Sequence, residues 1–177
     1  MARIILTHGL IAGLVIIAGV IGTVAISGGE PHGNVWLGYL IMLLGMSAVF
    51  MGIKRHRDTH GGGVIRFLPA LGVGLGIALF ASIAYVLVWE MYLAATGYVF
   101  MDQYTAATLE ARRAEGLSGE AYRQLEARMR NAVEAYRSPF YRLPLTFVEI
   151  FPVGLVVSIV SAVLLSNSRL LPARARS

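Results

Sequence analysis

Four stretches of the chain run almost unbroken in apolar residues, at roughly 4–27, 35–53, 64–96 and 145–166, while 98–143 alternates acids with arginines. Each of the four matches the about 20 residues that a helix needs to cross hydrocarbon. Backbone polar groups inside a bilayer must be satisfied within the protein, which leaves helices or a closed barrel, and no stretch shows the period-two alternation of a barrel strand. The pattern therefore predicts an all-α integral membrane protein. We expect one membrane domain over 1–177: four transmembrane helices in an up-down antiparallel bundle, with a water-facing helical hairpin at 98–143 between the third and fourth.

The hairpin reading follows from spacing. Asp102, Glu110, Glu115, Glu120, Glu126 and Glu134 alternate with arginines at 112, 113, 123, 128, 130, 137 and 142. Gly116 suits the end of one helix, Ser118 the cap of the next, and Glu120 the positive end of its dipole. Tyr122, Leu125, Met129, Val133 and Tyr136 recur at three and four and make one packing face. Pro139 and Pro144 are expected to bound the return to the membrane. Trp89, Tyr92, Tyr98, Phe140 and Tyr141 suit an interfacial aromatic belt.

Composition supports a bilayer setting: 56% of the 177 residues are hydrophobic and only 14% charged. Met1, Ala2 and Arg3 before an apolar run resemble a secretory signal, but the run exceeds the usual core of about 7–15 residues, so the segment is expected to be retained. There is no cysteine, which excludes disulfide and thiol chemistry.

Charge predicts orientation. Arg3, then Lys54, Arg55, Arg57 and Arg66, then Arg169, Arg174 and Arg176 fall on one side of an even-spanning chain, and the first connection carries Glu30 without Lys or Arg. The expectation is a multi-pass protein of the bacterial inner membrane, N-in and C-in, with a periplasmic hairpin. The net charge of +5 then marks orientation and contact with membrane lipids; without aromatic–basic interleaving, nucleic acid is not an expected partner.

Small residues at spacing four predict close helix packing: Gly9 with Gly13, Gly72 with Gly76, and Gly154 with Ser158 and Ala162. Ionisable residues in the spans are the candidate sites, namely His8, Glu90 and Glu149, with Arg66 at the start of the third span. Glu90 and Glu149 are expected at similar depth near the hairpin, where Arg137 or Arg142 could bond to them. An anchoring role is favoured over an ion site, with Glu149 tying the last helix to the hairpin or to a partner. His56, Asp58 and His60 could approach on a helix as metal ligands, but the glycines at 61–63 predict a flexible, solvated basic loop instead. No nucleophile–base set, cofactor motif or phosphate loop is present, so no catalytic, cofactor or metal residue is expected.

Two stretches carry a resemblance: MGIKRHRDTHGGGVIRFLPALGVGL at 51–75 and VEIFPVGLVVSIVSAVLLSNSR at 148–169. Together they resemble the bacterial membrane family known as domain of unknown function 4199 (DUF4199). Its pattern corresponds here to Arg57-Asp58, Gly61-Gly62, Gly116-Leu117-Ser118, and Glu149, Pro152, Val153 and Gly154. The resemblance covers nearly the whole chain and implies the same architecture without an assigned activity. It adds weight to Glu149. The functional expectation is a non-enzymatic partner subunit or scaffold, engaging a membrane-protein partner or a second copy; the alternative is a small oligomeric transporter or ion conductor using Glu90 and Glu149.

Overall fold

The computed structural model describes residues 1–26 and 35–172, so Glu30, Arg174 and Arg176 lie outside the described residues. Among the described residues there are six helices and no strand: α1 (Ala2–Ile26), α2 (Val35–His60), α3 (Phe67–Ala95), α4 (Phe100–Ala114), α5 (Gly119–Arg137) and α6 (Pro139–Ser166). α1, α2, α3 and α6 are long and apolar enough to cross a membrane.

Two boundaries differ from expectation for identifiable reasons. α2 does not stop at 53 but winds on through the basic segment to His60. Nothing there breaks a helix before Gly61, and the turn is reinforced by a Lys54–Asp58 ion pair of 2.5 Å across one turn. The glycines then do what no other residue would do readily: Gly62 and Gly63 take φ of 58° and 89°, and the amides of Gly61 and Gly63 donate back to the Arg57 carbonyl.

α6 starts at Pro139, so Pro144 lies inside the helix rather than bounding it. Pro139 sits where its missing N–H costs nothing. Pro144 leaves the carbonyl of Phe140 without its helical donor, but Phe140 is 92% exposed, so that carbonyl remains open to solvent or headgroups.

At the turn between α4 and α5 the expected glycine stop forms. Gly116 has φ of 92°, and the amides of Gly116 and Leu117 donate to the carbonyls of Arg113 and Arg112. Ser118 flanks α5 in extended conformation but makes no side-chain cap.

Among the long helices, α3 touches α1, α2 and α6, and α2 also touches α1 and α6; α4 packs on α5, and α5 on α6. The shared core is apolar, with Ile16, Met46, Val49, Ile53, Ile77 and Ile150 fully buried. Small residues set the approach. A Cβ on Gly154 would lie 2.7 Å from the Ala78 Cβ, and one on Gly13 would lie 3.3 Å from Ala81 and Ala84. Gly9 faces Phe80, Gly76 faces Ile5, and Ser158 and Ala162 are fully buried. Gly72 departs from the expected packing set: it is exposed with nothing within 4 Å, and Gly74 meets Ser158 instead. The small-residue faces are thus consumed by contacts inside the protein, and its outer surface is left to residues such as Leu44, Leu87, Val156 and Val163.

Candidate functional site

α3 ends at a glycine turn like that after α4: Gly97 has φ of 70°, and the amides of Gly97 and Tyr98 donate to the carbonyls of Ala94 and Leu93. Tyr98 then takes φ of 58°, a conformation that bulky side chains rarely adopt. The reversal turns its ring back toward α3, where the hydroxyl donates to Glu90 Oε1 at 3.0 Å.

Glu90 is gripped from the other side by Arg142, which is only 3% exposed. Arg142 Nε donates to Glu90 Oε2 at 2.9 Å and Nη2 to Oε1 at 2.5 Å, the two-pronged geometry that suits a guanidinium and a carboxylate. Its Nη1 donates to the carbonyls of Tyr136 and Arg137, at the C-terminal end of α5. The guanidinium carbon lies 4.8 Å from the Tyr98 ring centre and 5.7 Å from that of Tyr136. One side chain on α6 therefore fixes α3, the Tyr98 turn and the end of α5 together.

Trp89 completes this end. Its indole Nε1 donates to the Tyr136 hydroxyl at 3.0 Å, and Phe100 meets it edge-on at 5.0 Å. Trp89 is 6% exposed, so it is a packed core residue rather than part of an interfacial belt; of the expected belt, Tyr98, Phe140 and Tyr141 are exposed. Burial raises the Tyr136 hydroxyl above the usual tyrosine range, and the hydrogen bond to Glu90 does the same for Tyr98.

At the opposite end a second arginine acts similarly. Arg57 on α2 has no exposed surface; Nε donates to Asp58 Oδ1 at 2.9 Å, Nη1 to the Leu170 carbonyl at 2.9 Å, and Nη2 to the Leu171 carbonyl. Leu171 also has a positive φ, 49°. The chain after α6 is thereby held on the end of α2. The sequence marked Arg57 only as a basic loop charge, so its clamp was missed; Arg142 was expected as a possible donor to Glu90, and that bond forms, while its bonds to the end of α5 were not foreseen. For Arg142 the available signal was an arginine between Tyr141 and Leu143 just inside a helix, where only a dedicated set of acceptors allows it, whereas Arg57 stands in a charged run and carried no such signal.

The predicted sites separate. Glu90 is the tie between helices that Glu149 was expected to provide. Glu149 sits two turns beyond Arg142 on α6, about 10 Å further along the axis, so it does not share the grip of Arg142. It is exposed on the outer face beside Val148, which is 60% exposed, and has no hydrogen bond or ion pair among the described residues. Its nearest polar company is electrostatic, the hydroxyls of Tyr85 and Tyr136. Arg66 is exposed and flanks the start of α3 in extended conformation.

His8 is 7% exposed, at the Arg57 end; its Nδ1 bonds the Ile4 carbonyl at 2.9 Å, and its ring lies against Gly52. α1 meets Phe80 through Gly9, and Glu90 lies ten residues beyond Phe80 on α3, about 15 Å along the axis, which keeps His8 and the acids apart. The His56 and His60 rings stack at 4.9 Å on successive turns, but no group of three possible metal-ligating side chains occurs among the described residues.

The family model described as a protein of unknown function (DUF4199) matches residues 7–167. No curated protein and no solved structure matches the chain. The matched span includes Glu90, Arg142, Arg57 and Glu149, and ends before the Leu170 and Leu171 carbonyls that Arg57 holds.

Proposed function

The chain belongs to the DUF4199 family, and from that premise we propose that it is a non-enzymatic subunit that recognises another membrane protein through the outer face of α6. The observation behind this reading is Glu149: an exposed carboxylate within an apolar helix, with no hydrogen bond or ion pair among the described residues. A charge in hydrocarbon is costly, by about 2.5–3.5 kcal/mol at mid-bilayer and less near the edges, so a carboxyl facing lipid calls for a donor. Two copies apposed at this face would bring like carboxylates together. A different helix carrying Lys, Arg or an amide would satisfy the group and gain from the same low dielectric.

In this reading the four long helices form an up-down bundle in a bacterial inner membrane. Both termini and the Arg57 end face the cytoplasm, and α4 with α5 form a periplasmic hairpin. The basic residues at the Arg57 end support that orientation. The packing glycines hold the protein itself together and leave recognition to α6 and the hairpin.

The test is purification of the tagged protein in mild detergent, with Glu149→Leu alongside. The reading requires a stoichiometric membrane-protein partner that is lost from the variant while its unfolding midpoint is kept. A protein that is monomeric and alone, or a partner indifferent to Glu149, removes it.

A second reading has one observation in its favour. The hydroxyls of Tyr136 and Tyr85 lie within electrostatic reach of Glu149, a polar series from the hairpin end toward a carboxyl inside α6. Equal proton flux into proteoliposomes of the wild type and Glu149→Gln would dispose of a conducting role.

A further inference from the structure

At the Arg57 end, the first turns of α1 and the last turns of α2 enclose a cleft of about 510 Å³, lined among others by Arg3, Thr7, His8, Arg55, Thr59 and His60. Its charge balance is one-sided. Asp58 is the sole acid near this end among the described residues, and it already accepts from Lys54 and Arg57. Arg3 and Arg55 are exposed and have no ion-pair partner among the described residues. Two guanidinium groups therefore face one cleft without a counter-charge.

The wall of the cleft is built as well as charged. His8, buried to 7% exposure, spends Nδ1 on the Ile4 carbonyl, which leaves Nε2 as its remaining polar atom, with no partner among the described residues. A ring placed this way donates Nε2–H to an anion when it is protonated. The N-terminal turn of α1 lines the same cleft, adding the positive end of a 25-residue helix. The lining also includes Met1 and Ile4, and the exposed Met51 lines an adjoining groove together with His8 and Arg55, which suits a ligand with a charged head and an apolar body.

We propose that this cleft binds a phosphate group, held by Arg3 and Arg55 over His8, and that the group belongs to an anionic phospholipid. Paired guanidinium forks match phosphate oxygens better than ammonium groups do. The buried imidazole supplies a fixed third contact, which a general basic rim lacks. Because the cleft lies at the opposite end from Glu149, the proposal stands or falls separately from partner recognition.

The experiment uses the full chain in nanodiscs of phosphatidylcholine containing one-tenth phosphatidylglycerol, with native mass spectrometry counting the phosphatidylglycerol retained after release. Wild type should retain one or two such lipids, and Arg3→Gln with Arg55→Gln should weaken retention about 25-fold, roughly fivefold for each arginine. Arg66→Gln, a basic change at the same end outside the cleft, should stay within about twofold of wild type. His8→Gln, with its unfolding midpoint checked, should weaken retention without altering net charge outside the cleft. Millimolar inorganic phosphate, added to discs of phosphatidylcholine alone and read by phosphorus NMR, distinguishes the source. No line broadening assigns the group to lipid, while saturable broadening lost in the double variant keeps the site and overturns the lipid assignment. Equal retention by wild type and the double variant, or an equal loss in Arg66→Gln, overturns the site.

Discussion

Arg142 and Glu90, 52 residues apart in sequence, close α6 onto α3 through two hydrogen bonds of 2.9 and 2.5 Å. The arginine is almost fully enclosed, whereas the Glu90 side chain keeps 27% of its surface. Removing the arginine therefore abandons a partly exposed carboxylate and three elements that met at one guanidinium. Arg142→Leu should destabilise the protein by about 3 kcal/mol, the lower end for a broken buried pair. Glu90→Gln should cost about 1–2 kcal/mol, because it keeps the acceptor for Tyr98 and loses the charge. Replacing both by leucine should recover most of the loss, measured as a double-mutant cycle of unfolding in detergent. A double variant as unstable as Arg142→Leu would mean that the carbonyl contacts to α5, not the ion pair, carry the effect.

The Arg57 clamp makes a different prediction, since it holds a chain segment rather than two helices. Arg57→Gln should speed tryptic cleavage after Arg169 about tenfold or more, as expected from losing charge-assisted bonds worth about 1.5–3 kcal/mol. Unchanged cleavage would show that the segment is held by other contacts.

Glycine substitutions separate packed from unpacked positions. Gly154→Ala drives a methyl into Ala78, which has no flexible end to yield, and should cost about 1–3 kcal/mol. Gly72→Ala meets open space and should be neutral or stabilising by about 0.5–1 kcal/mol through the helix preference of alanine. Thermal unfolding of the two variants checks both signs.

Tyr136 and Tyr98 both ionise above the ordinary tyrosine value, Tyr136 chiefly from burial and Tyr98 chiefly from its bond to Glu90. A raised folded value contributes stability that is whole below about pH 10 and is lost as pH rises through the folded values. Alkaline titration should therefore loosen the α4–α5 end first, and Tyr136→Phe should shrink the dependence. Protection factors of the α4 and α5 amides, exchange normalised to the intrinsic rate at each pH from 9 to 11, read this directly; protection independent of pH would contradict it.

Much of the fold was legible because lipid imposes long apolar helices, and glycine punctuation marked the stop after α4. The boundaries of α2 and α6 were misjudged for one reason: hydropathy ends where charge begins, but a helix ends where its backbone is interrupted. The basic segment after 53 lacks a breaker until Gly61, and Pro139 opens a helix rather than preceding one. Gly72 was misplaced because spacing four is satisfied on more than one face, and only the neighbouring helix decides between Gly72 and Gly74. The candidate site was half legible. Glu90 and Glu149 stood out by chemistry, yet their different fates depend on where Arg142 falls along α6, and that depended on a helix start the proline had obscured.

If the Glu149 face of α6 meets a different membrane protein within the bilayer, as proposed, a photoreactive group beside it will capture that protein. The most direct measurement installs a photoreactive residue at Val148, beside Glu149, and irradiates native membranes. One defined protein adduct is expected, its yield falling at least about tenfold in Glu149→Gln, the loss expected for a charged hydrogen bond. A self-adduct of twice 19.1 kDa, lipid adducts alone, or a yield indifferent to Glu149 would contradict it.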